Sequence, residues 1–448
     1  MADQEHPVYE AVEDSLNGPE GFKQTEVGLI PTDWRVCNLA ALLKEQPRYG
    51  INAAAVKLVG NLPTYIRITD ISEDGYFRPE EKVGVRSPHC GDYLVQRGDI
   101  LLARTGASVG KSYLYRTSDG ELVFAGFLIK VSPNTRVLNP GYLHQFLKTR
   151  SYWNWVTVNS MRSGQPGING NEYASMPLPV PSLVEQTAIA NALSDVDDLI
   201  GSMENLIAKK QAIKTATMQQ LLTGRTRLAG FSGKWEAVQL GDVAAPNRRW
   251  SFTGGPFGSN LKSSDYTEAG IRIIQLQNIG DGEFKDNYEI YTSEAKADEL
   301  TSCNIFPGEI ILSKMGDPVA RACIIPSRHD RYLMCSDGIR LAVDPDRFDT
   351  YFIYTQINAP DFRDRATNAG TGSTRKRIGL TELRRLELDC PPLVEQTAIA
   401  EVLRNMDEEL AALKLKLSKT HALKQGMMQE LLTGRTRLVT PEHQGGAA

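Results

Sequence analysis

The sequence predicts an α+β protein in which two mixed, strand-rich domains are separated by two long antiparallel coiled-coil helices, with a pseudo-two-fold internal repeat. Three observations lead to this prediction. Nearly identical segments recur 210 residues apart, apolar residues inside them follow helical spacing, and the segments before them alternate short apolar runs with turn residues. A chain of 448 residues is also too long for one ordinary domain.

The repeat is an internal duplication. Residues 183–190 (LVEQTAIA) recur without change as residues 393–400. Residues 218–228 recur as residues 428–438 with one difference, because Gln220 becomes Glu430. Identity over such lengths does not arise by chance.

Each repeated segment is predicted to be one long helix. Apolar residues step by three and four along both copies, which is the spacing of a coiled-coil seam. These seam residues are Leu193, Val196, Ile200, Met203 and Ile207 in the first copy, and Leu403, Met406, Leu410, Leu413 and Leu417 in the second. Prolines precede both segments and Gly224 and Gly434 follow them, as expected at helix ends. Two amphipathic helices in separate cores are the alternative.

The segments before the helices are related much more loosely. Residues 97–104 (RGDILLAR) resemble residues 307–314 (PGEIILSK), and runs such as 65–71, 100–103, 271–276 and 310–312 are predicted strands. The predicted boundaries are an acidic disordered tail (1–21), domain 1 (22–180), helical spacer 1 (181–229), domain 2 (230–390), helical spacer 2 (391–438) and a flexible tail (439–448).

The charge balance is unusual for a protein that binds nucleic acid. The net charge is −4, but the first 20 residues hold six acidic residues and no basic one, so the rest is nearly neutral. Positive charge must then be concentrated in patches, or partners must supply phosphate contacts. The six cysteines are scattered without metal-ligand spacing, and no apolar run is long enough to cross a bilayer. These features predict a cytoplasmic protein without a metal, a membrane association or a bound cofactor.

The contrast between the two kinds of segment is the functional clue. Nearly identical helices indicate the same task performed twice, such as binding two copies of one partner. Diverged domains on equivalent helices indicate two different targets. Duplex DNA has local two-fold axes, and proteins of matching symmetry read half-sites about one helical turn apart.

On these features the chain resembles the specificity subunit of type I restriction-modification systems over roughly residues 22–438. The residues that carry the resemblance are the P-x-x-x-E-Q start of each helix, the LLTGRTRL end, and segments of domain 2 such as 255–262 (GPFGSNLK) and 372–375. Domain 1 departs from the pattern because it has no Gly-Pro-Phe-Gly-Ser sequence.

The resemblance implies two target-recognition domains that each read half of a bipartite, asymmetric DNA site. It also implies two copies of a modification (methyltransferase) subunit docked on the helices, together with restriction subunits that translocate DNA. Adenine methylation and cleavage, with their S-adenosylmethionine, ATP and Mg²⁺, would belong to those partners. Glu185, Gln186, Glu395 and Gln396, at the helix starts, join the seam residues as candidates for spacing and partner binding.

Candidate DNA-binding residues are basic or polar and cluster before each helix or at strand ends. Arginine, glutamine and asparagine can contact base edges, and the basic loop at 370–377 suits contact with a phosphate backbone. The candidates are Arg104, Lys111, Arg162, Gln165, Asn169, Asn171, Lys262, Lys314, Arg321, Thr374, Arg375, Lys376 and Arg377.

No sequence pattern supports a catalytic centre. Residues 106–112 (GASVGKS) resemble a phosphate-binding loop but have one residue too few between the glycines, and a strand is predicted to follow. Two non-catalytic alternatives remain: a specificity-like subunit of another methylation-based defence system, and a coiled-coil adaptor whose domains bind proteins.

Overall fold

The computed structural model describes residues 20–372 and 375–440. The predicted tails therefore lie almost entirely outside the described residues. The described residues divide into two compact units, one made of residues 20–204 with residues 416–440, and one made of the described residues between 205 and 415. Each unit holds one strand-rich domain, the beginning of the helix that follows it, and the end of the other long helix.

The described part of the first repeat contains twelve strands and four α-helices. Its strands are β1 (Phe22–Thr25), β2 (Gly28–Pro31), β3 (Arg35–Asn38), β4 (Arg48–Tyr49), β5 (Ala55–Lys57), β6 (Thr64–Ile66), β7 (Val83–Val85), β8 (Ile100–Ala103), β9 (Ser112–Leu114), β10 (Leu122–Phe124), β11 (Leu128–Val131) and β12 (Pro177–Val180). Its helices are α1 (Pro140–Phe146), α2 (Arg150–Ser160), α3 (Gly170–Ala174) and α4 (Leu183–Leu221).

The second repeat follows the same plan, with eleven strands and five α-helices among its described residues. Its strands are β13 (Glu236–Gln239), β14 (Phe252–Gly254), β15 (Tyr266–Thr267), β16 (Ile271–Ile274), β17 (Tyr291–Thr292), β18 (Asn304–Ile305), β19 (Ile310–Ser313), β20 (Ala322–Ile324), β21 (Tyr332–Met334), β22 (Gly338–Leu341) and β23 (Glu387–Cys390). Its helices are α5 (Glu294–Glu299), α6 (Thr350–Asn358), α7 (Pro360–Ala369), α8 (Leu380–Arg384) and α9 (Leu393–Leu431).

The sheets of the two repeats correspond. The four-stranded sheet β4-β11-β8-β9 in the first unit matches β14-β22-β19-β20 in the second. Their central pairs share a register, since Ile100 lies opposite Val131 and Ile310 lies opposite Leu341. Each unit also has a sheet that contains one parallel pair, β6 with β10 and β16 with β21. The prediction of one fold used twice is confirmed.

Two of the predicted strands are shorter than expected. The apolar run at 65–71 forms β6 only as far as Ile66 and then a 3₁₀ turn at Ile68–Asp70. The run at 271–276 likewise ends as a strand at Ile274, before a 3₁₀ turn at Leu276–Asn278. In both turns a side chain of the third residue, Asp70 or Asn278, accepts a hydrogen bond from the backbone before the turn, which stops the strand.

The long helices α4 and α9 are each 39 residues and therefore about 58 Å long. Within each unit, the first half of one helix runs antiparallel to the second half of the other. Buried Leu193 of α4 shares a core with Leu431 of α9 in the first unit, and Leu221 shares a core with Leu403 in the second. The ends of both helices thus complete the core of each strand-rich domain.

Candidate nucleic-acid interface

A loop before a short helix meets the end of a buried strand at equivalent places in the two units. In the first unit the loop between α2 and α3 runs beside the end of β8, and the Ile168 amide donates to the Arg104 carbonyl at 2.9 Å. In the second, the Ile378 amide donates to the Lys314 carbonyl at 3.0 Å. The structure therefore brings the predicted strand-end and loop candidates together, once in each unit.

In domain 1 the candidate DNA-binding residues of the loop are exposed, and some of them also bind neighbouring residues of the protein. Arg162 pairs with Glu172 and also donates to the carbonyl of Asn159 at 3.0 Å. The Asn169 side chain caps α3 by accepting from the Glu172 amide at 2.9 Å. Gln165 lies over Gly106, where a Cβ would come within 2.7 Å of its Nε2. Asn171 is exposed on α3. These contacts fix the loop while Gln165, Asn171 and the outer edge of Arg162 stay accessible.

In domain 2 the equivalent loop closes on itself as a small hairpin. Thr371 and Arg377 exchange two backbone hydrogen bonds of 2.9 and 2.8 Å. Arg377 pairs with Asp337, and Lys376 donates to the Thr367 carbonyl at 3.1 Å. Arg375 is exposed at the turn. Thr374 lies outside the described residues.

The remaining basic candidates occupy two kinds of position. Lys111 and Arg321 are equivalent residues next to the strand ends: Lys111 pairs with Glu73 at 2.6 Å, whereas Arg321 has a buried Nε without a hydrogen-bond partner among the described residues. Lys262 is exposed at the start of a 3₁₀ turn, where its amide donates to Asp265 at 2.7 Å. Lys262 is therefore on a separate segment from the loop candidates.

Domain 1 lacks the Gly-Pro-Phe-Gly-Ser sequence of domain 2, but it has a structural counterpart of the first glycine of that sequence. Gly50 and Gly255 occupy equivalent places, since their amides donate to the Leu128 and Gly338 carbonyls at 3.1 and 2.8 Å. A Cβ at Gly50 would lie 2.2 Å from the Ala125 carbonyl oxygen, and one at Gly255 would lie 1.7 Å from that of Cys335. Only glycine fits either position, and this close backbone approach forms the floor of a cleft in domain 1.

The glutamates at the helix starts make buried ion pairs within the chain. Glu185 binds both Nε and Nη2 of Arg437 and accepts from Trp34 Nε1 at 3.2 Å. Glu395 binds Arg227 in the same bidentate way, at 2.5 Å for each bond. The hydrogen bonds that Arg437 donates to the carboxylates of Glu185 and Asp33 raise the pKa of Arg437, and the same bond to Asp33 lowers the pKa of Asp33. In each copy of the LLTGRTRL sequence, the last arginine thus joins the segment after one long helix to the start of the other long helix.

The glutamines beside these glutamates repeat their contacts bond for bond. Gln186 accepts from the Asn139 amide at 2.8 Å and donates to the carbonyls of Val137 and Pro181. Gln396 accepts from the Asp349 amide at 3.0 Å and donates to the equivalent carbonyls. The prediction of partner binding by Glu185, Gln186, Glu395 and Gln396 needs correction, because all four are about 1% exposed and bind groups of their own unit.

The seam residues face the inside of the helix pair. Leu193, Ile200, Met203, Leu403 and Leu410 are buried, whereas Val196, Ile207, Met406, Leu413 and Leu417 are half-buried. Sequence reasoning missed a second stripe on α4, formed by the exposed Leu199, Leu206 and Ile213 at seven-residue steps. The equivalent residues of α9 are Glu409, Lys416 and Leu423, so α9 keeps only the last of the three apolar residues.

Two further kinds of feature concern the described residues, metal-ligand clusters and membrane-spanning helices. Within 20–372 and 375–440 there is no group of three or more histidine, cysteine, aspartate or glutamate side chains that could hold a metal ion. No helix in that part of the chain is long and apolar enough to span a membrane. The Gly106–Ser108 turn leads into strand β9, as expected of a segment that is not a phosphate-binding loop.

Fold and site together define a protein with two related strand-rich domains carried on duplicated helices. The family model for the type I restriction modification DNA specificity domain matches residues 31–212 and again residues 233–419. These two matches cover most of the chain. The chain therefore belongs to the type I restriction-modification DNA specificity family, and it carries two copies of the domain.

Known relatives extend over nearly the whole chain. The putative type I restriction enzyme MjaX specificity subunit of Methanocaldococcus jannaschii is 26% identical over 445 residues, which cover 94% of this chain and 98% of that protein. The MjaVIII specificity subunit of the same organism is 21% identical, with 94% and 96% covered. The S subunit of the type I restriction-modification system from M. genitalium has the same fold, with a TM-score of 0.57 at 15% identity and with 89% and 96% covered.

Proposed function

We propose that this chain is the DNA sequence-specificity subunit of a type I restriction-modification complex, and that each strand-rich domain reads one half of a bipartite, asymmetric site. One observation carries the proposal. The bidentate glutamate–arginine pairs and the glutamine contacts at the helix starts recur in both units, whereas the loops beside Arg104 and Lys314 present different polar side chains. Reading two different half-sites requires equivalent positioning of the two domains together with different side chains on their DNA-facing loops.

The proposed partners follow from the same contrast between the repeated helices and the diverged domains. The repeated helices serve as docking sites for two copies of a modification subunit, and restriction subunits join that assembly in the cytoplasm. This chain contributes no catalytic group. S-adenosylmethionine, ATP and Mg²⁺ are used by the partner subunits.

In this proposal, each domain discriminates between bases through exposed polar side chains of its loop. Arg375 in domain 2 and Gln165 in domain 1 are exposed at equivalent loops, and both side chains can make bidentate contacts with base edges. Two half-sites that are read by different side chains need not resemble each other. The expected DNA site is therefore asymmetric.

The test is a genome-wide map of adenine methylation in the host, with and without this gene. We expect deletion to remove one gapped, asymmetric methylated motif, and the intact gene supplied in trans to restore it. A map that stays the same, in a host where the adjacent modification subunit is shown to be active, would overturn the proposal and favour a protein-binding adaptor.

A further inference from the structure

An exposed phenylalanine stands at the mouth of the glycine-floored cleft in domain 1. Phe127 lies in the tight turn between β10 and β11, which the Leu128 amide closes by donating to the Ala125 carbonyl at 2.8 Å. Its side chain is 60% exposed. The cleft beside it is lined by Tyr49, Asn52 and Arg67 among others. An exposed aromatic ring on a rigid turn can contact a ligand with little loss of conformational entropy.

The turn is joined directly to the predicted reading loop. The Arg104 amide donates to the Phe127 carbonyl at 3.1 Å, and the Arg104 guanidinium lies 4.8 Å from the centre of the Tyr49 ring. The Tyr49 hydroxyl in turn accepts from the Gly170 amide at 2.9 Å, at the start of α3. Phe127 therefore belongs to the same surface as Arg104 and the loop that precedes α3.

Domain 2 places a different group at the equivalent position. There the Lys314 amide donates to the carbonyl of Asp337, whose carboxylate pairs with Arg377. The exposed phenylalanine of domain 2 is Phe257, which is 80% exposed and lies two residues after Gly255, on the opposite side of the close backbone approach. In each domain an exposed phenylalanine thus lies next to the close backbone approach. In domain 1 it follows the segment that supplies the carbonyl, and in domain 2 it follows the glycine.

From this arrangement we infer that Phe127 is a specificity-determining residue of domain 1, which makes an apolar contact with a base of the half-site that this domain reads. Aromatic rings stack on bases and also contact the thymine methyl group in the major groove. Arg104, whose amide binds the Phe127 carbonyl, and Gln165, which lies over Gly106, supply polar contacts, whereas the ring supplies a contact that excludes water. This inference rests on the proposed function.

The test compares Phe127→Ala, Phe127→Tyr and the wild type as full-length chains in complex with the modification subunit. Binding is measured on DNA duplexes that carry the methylated motif or single base changes in either half-site. For Phe127→Ala we expect a roughly 5- to 150-fold loss of affinity for the intact motif. We also expect weaker discrimination at one or two adjacent positions of one half-site. Phe127→Tyr keeps most of the affinity and the discrimination.

Phe257→Ala is the matched control, because it removes an exposed phenylalanine ring from the other domain. It leaves discrimination in the half-site affected by Phe127→Ala unchanged. Unchanged binding by Phe127→Ala, or an equal loss of affinity on all duplexes without a change in discrimination, overturns the inference. The same urea midpoint for variant and wild type excludes misfolding. If deleting the gene removes no motif, the proposed function fails, which is a separate result.

Discussion

At the scale of single residues, the charges that matter most for folding are those hidden from solvent. Glu185 and Glu395 are nearly inaccessible, and each carboxylate is satisfied by a bidentate arginine from the segment that follows a long helix. A buried carboxylate without its cation is strongly unfavourable. The repeated arginines are therefore needed for folding rather than for DNA binding.

Removing one of these arginines is expected to destabilise the first unit. Arg437→Gln leaves the Glu185 carboxylate with the Trp34 indole N–H as its remaining partner among the contacts described above. We expect the free energy of unfolding to fall by about 3 kcal/mol, as measured by urea denaturation of the full chain. Arg435→Gln is the control, because Arg435 is exposed two residues away. Equal stability of the two variants would contradict this role for the ion pair.

A buried histidine makes the stability of the first unit depend on pH. His144 of α1 is inaccessible, and burial, followed by the nearby charges of Lys148, Arg116 and Lys424, holds its pKa well below the usual value. The unfolded chain binds a proton at this residue near pH 6.5, whereas the folded chain does not. The unfolded state is therefore favoured as the pH falls below about 6.5.

Replacing this histidine is expected to flatten the pH profile. Between pH 7.5 and 5.5 the wild type should lose about 1 kcal/mol of stability at His144, and His144→Leu should lose less over the same range. Urea midpoints measured at several pH values test this. His421→Leu is the control, because His421 is exposed on α9. A profile for His144→Leu as steep as that of the wild type would show that other groups titrate.

At the scale of elements, the two long helices have matching apolar residues on their inner faces and different residues on their outer faces. Inside, buried leucines at matching positions complete each core. Outside, α4 exposes Leu199, Leu206 and Ile213, and α9 has Glu409 and Lys416 at two of the equivalent positions. Exposed apolar stripes of this kind are typical of protein contact surfaces.

This difference predicts that one helix docks a partner more strongly than the other. Leu206→Lys gives α4 the residue that α9 has, and it should weaken co-purification of the modification subunit because an apolar contact is lost. Stability of the isolated chain should stay the same, since Leu206 is exposed. Lys416→Leu is the reciprocal variant and should strengthen co-purification. No change in either variant would assign the docking surface to another face.

At the scale of the whole molecule, the chain between the two domains consists mainly of one long helix, α4. The length of chain between the domains is then expected to set the gap between the two half-sites. Inserting four residues after Arg225, in the exposed turn that follows α4, should change the gap while both half-sites stay the same. Methylation mapping of a host that carries this variant is the measurement. A change in the half-sites themselves would contradict the modular picture.

The sequence alone was enough to predict the architecture. A duplication is visible as identity at a fixed offset, and a 39-residue helix is visible from the three- and four-residue steps of its leucines, because both signals are local or periodic. The strand ends at Arg104 and Lys314 and the loops beside them were also predicted, since they occupy equivalent places in both copies.

Tertiary structure alone decided which of these residues are available to ligands. Glu185 and Gln186 were predicted to bind a partner, yet the fold buries both of them. Glu185 binds Arg437, which is 252 residues away in sequence, and Gln186 binds the Asn139 amide, which is 47 residues away. Phe127 carries no sequence signal, because an apolar residue between two apolar strands is indistinguishable from core until the turn that exposes it is known. Periodicity records which elements form, whereas burial depends on contacts between residues that are distant in the chain.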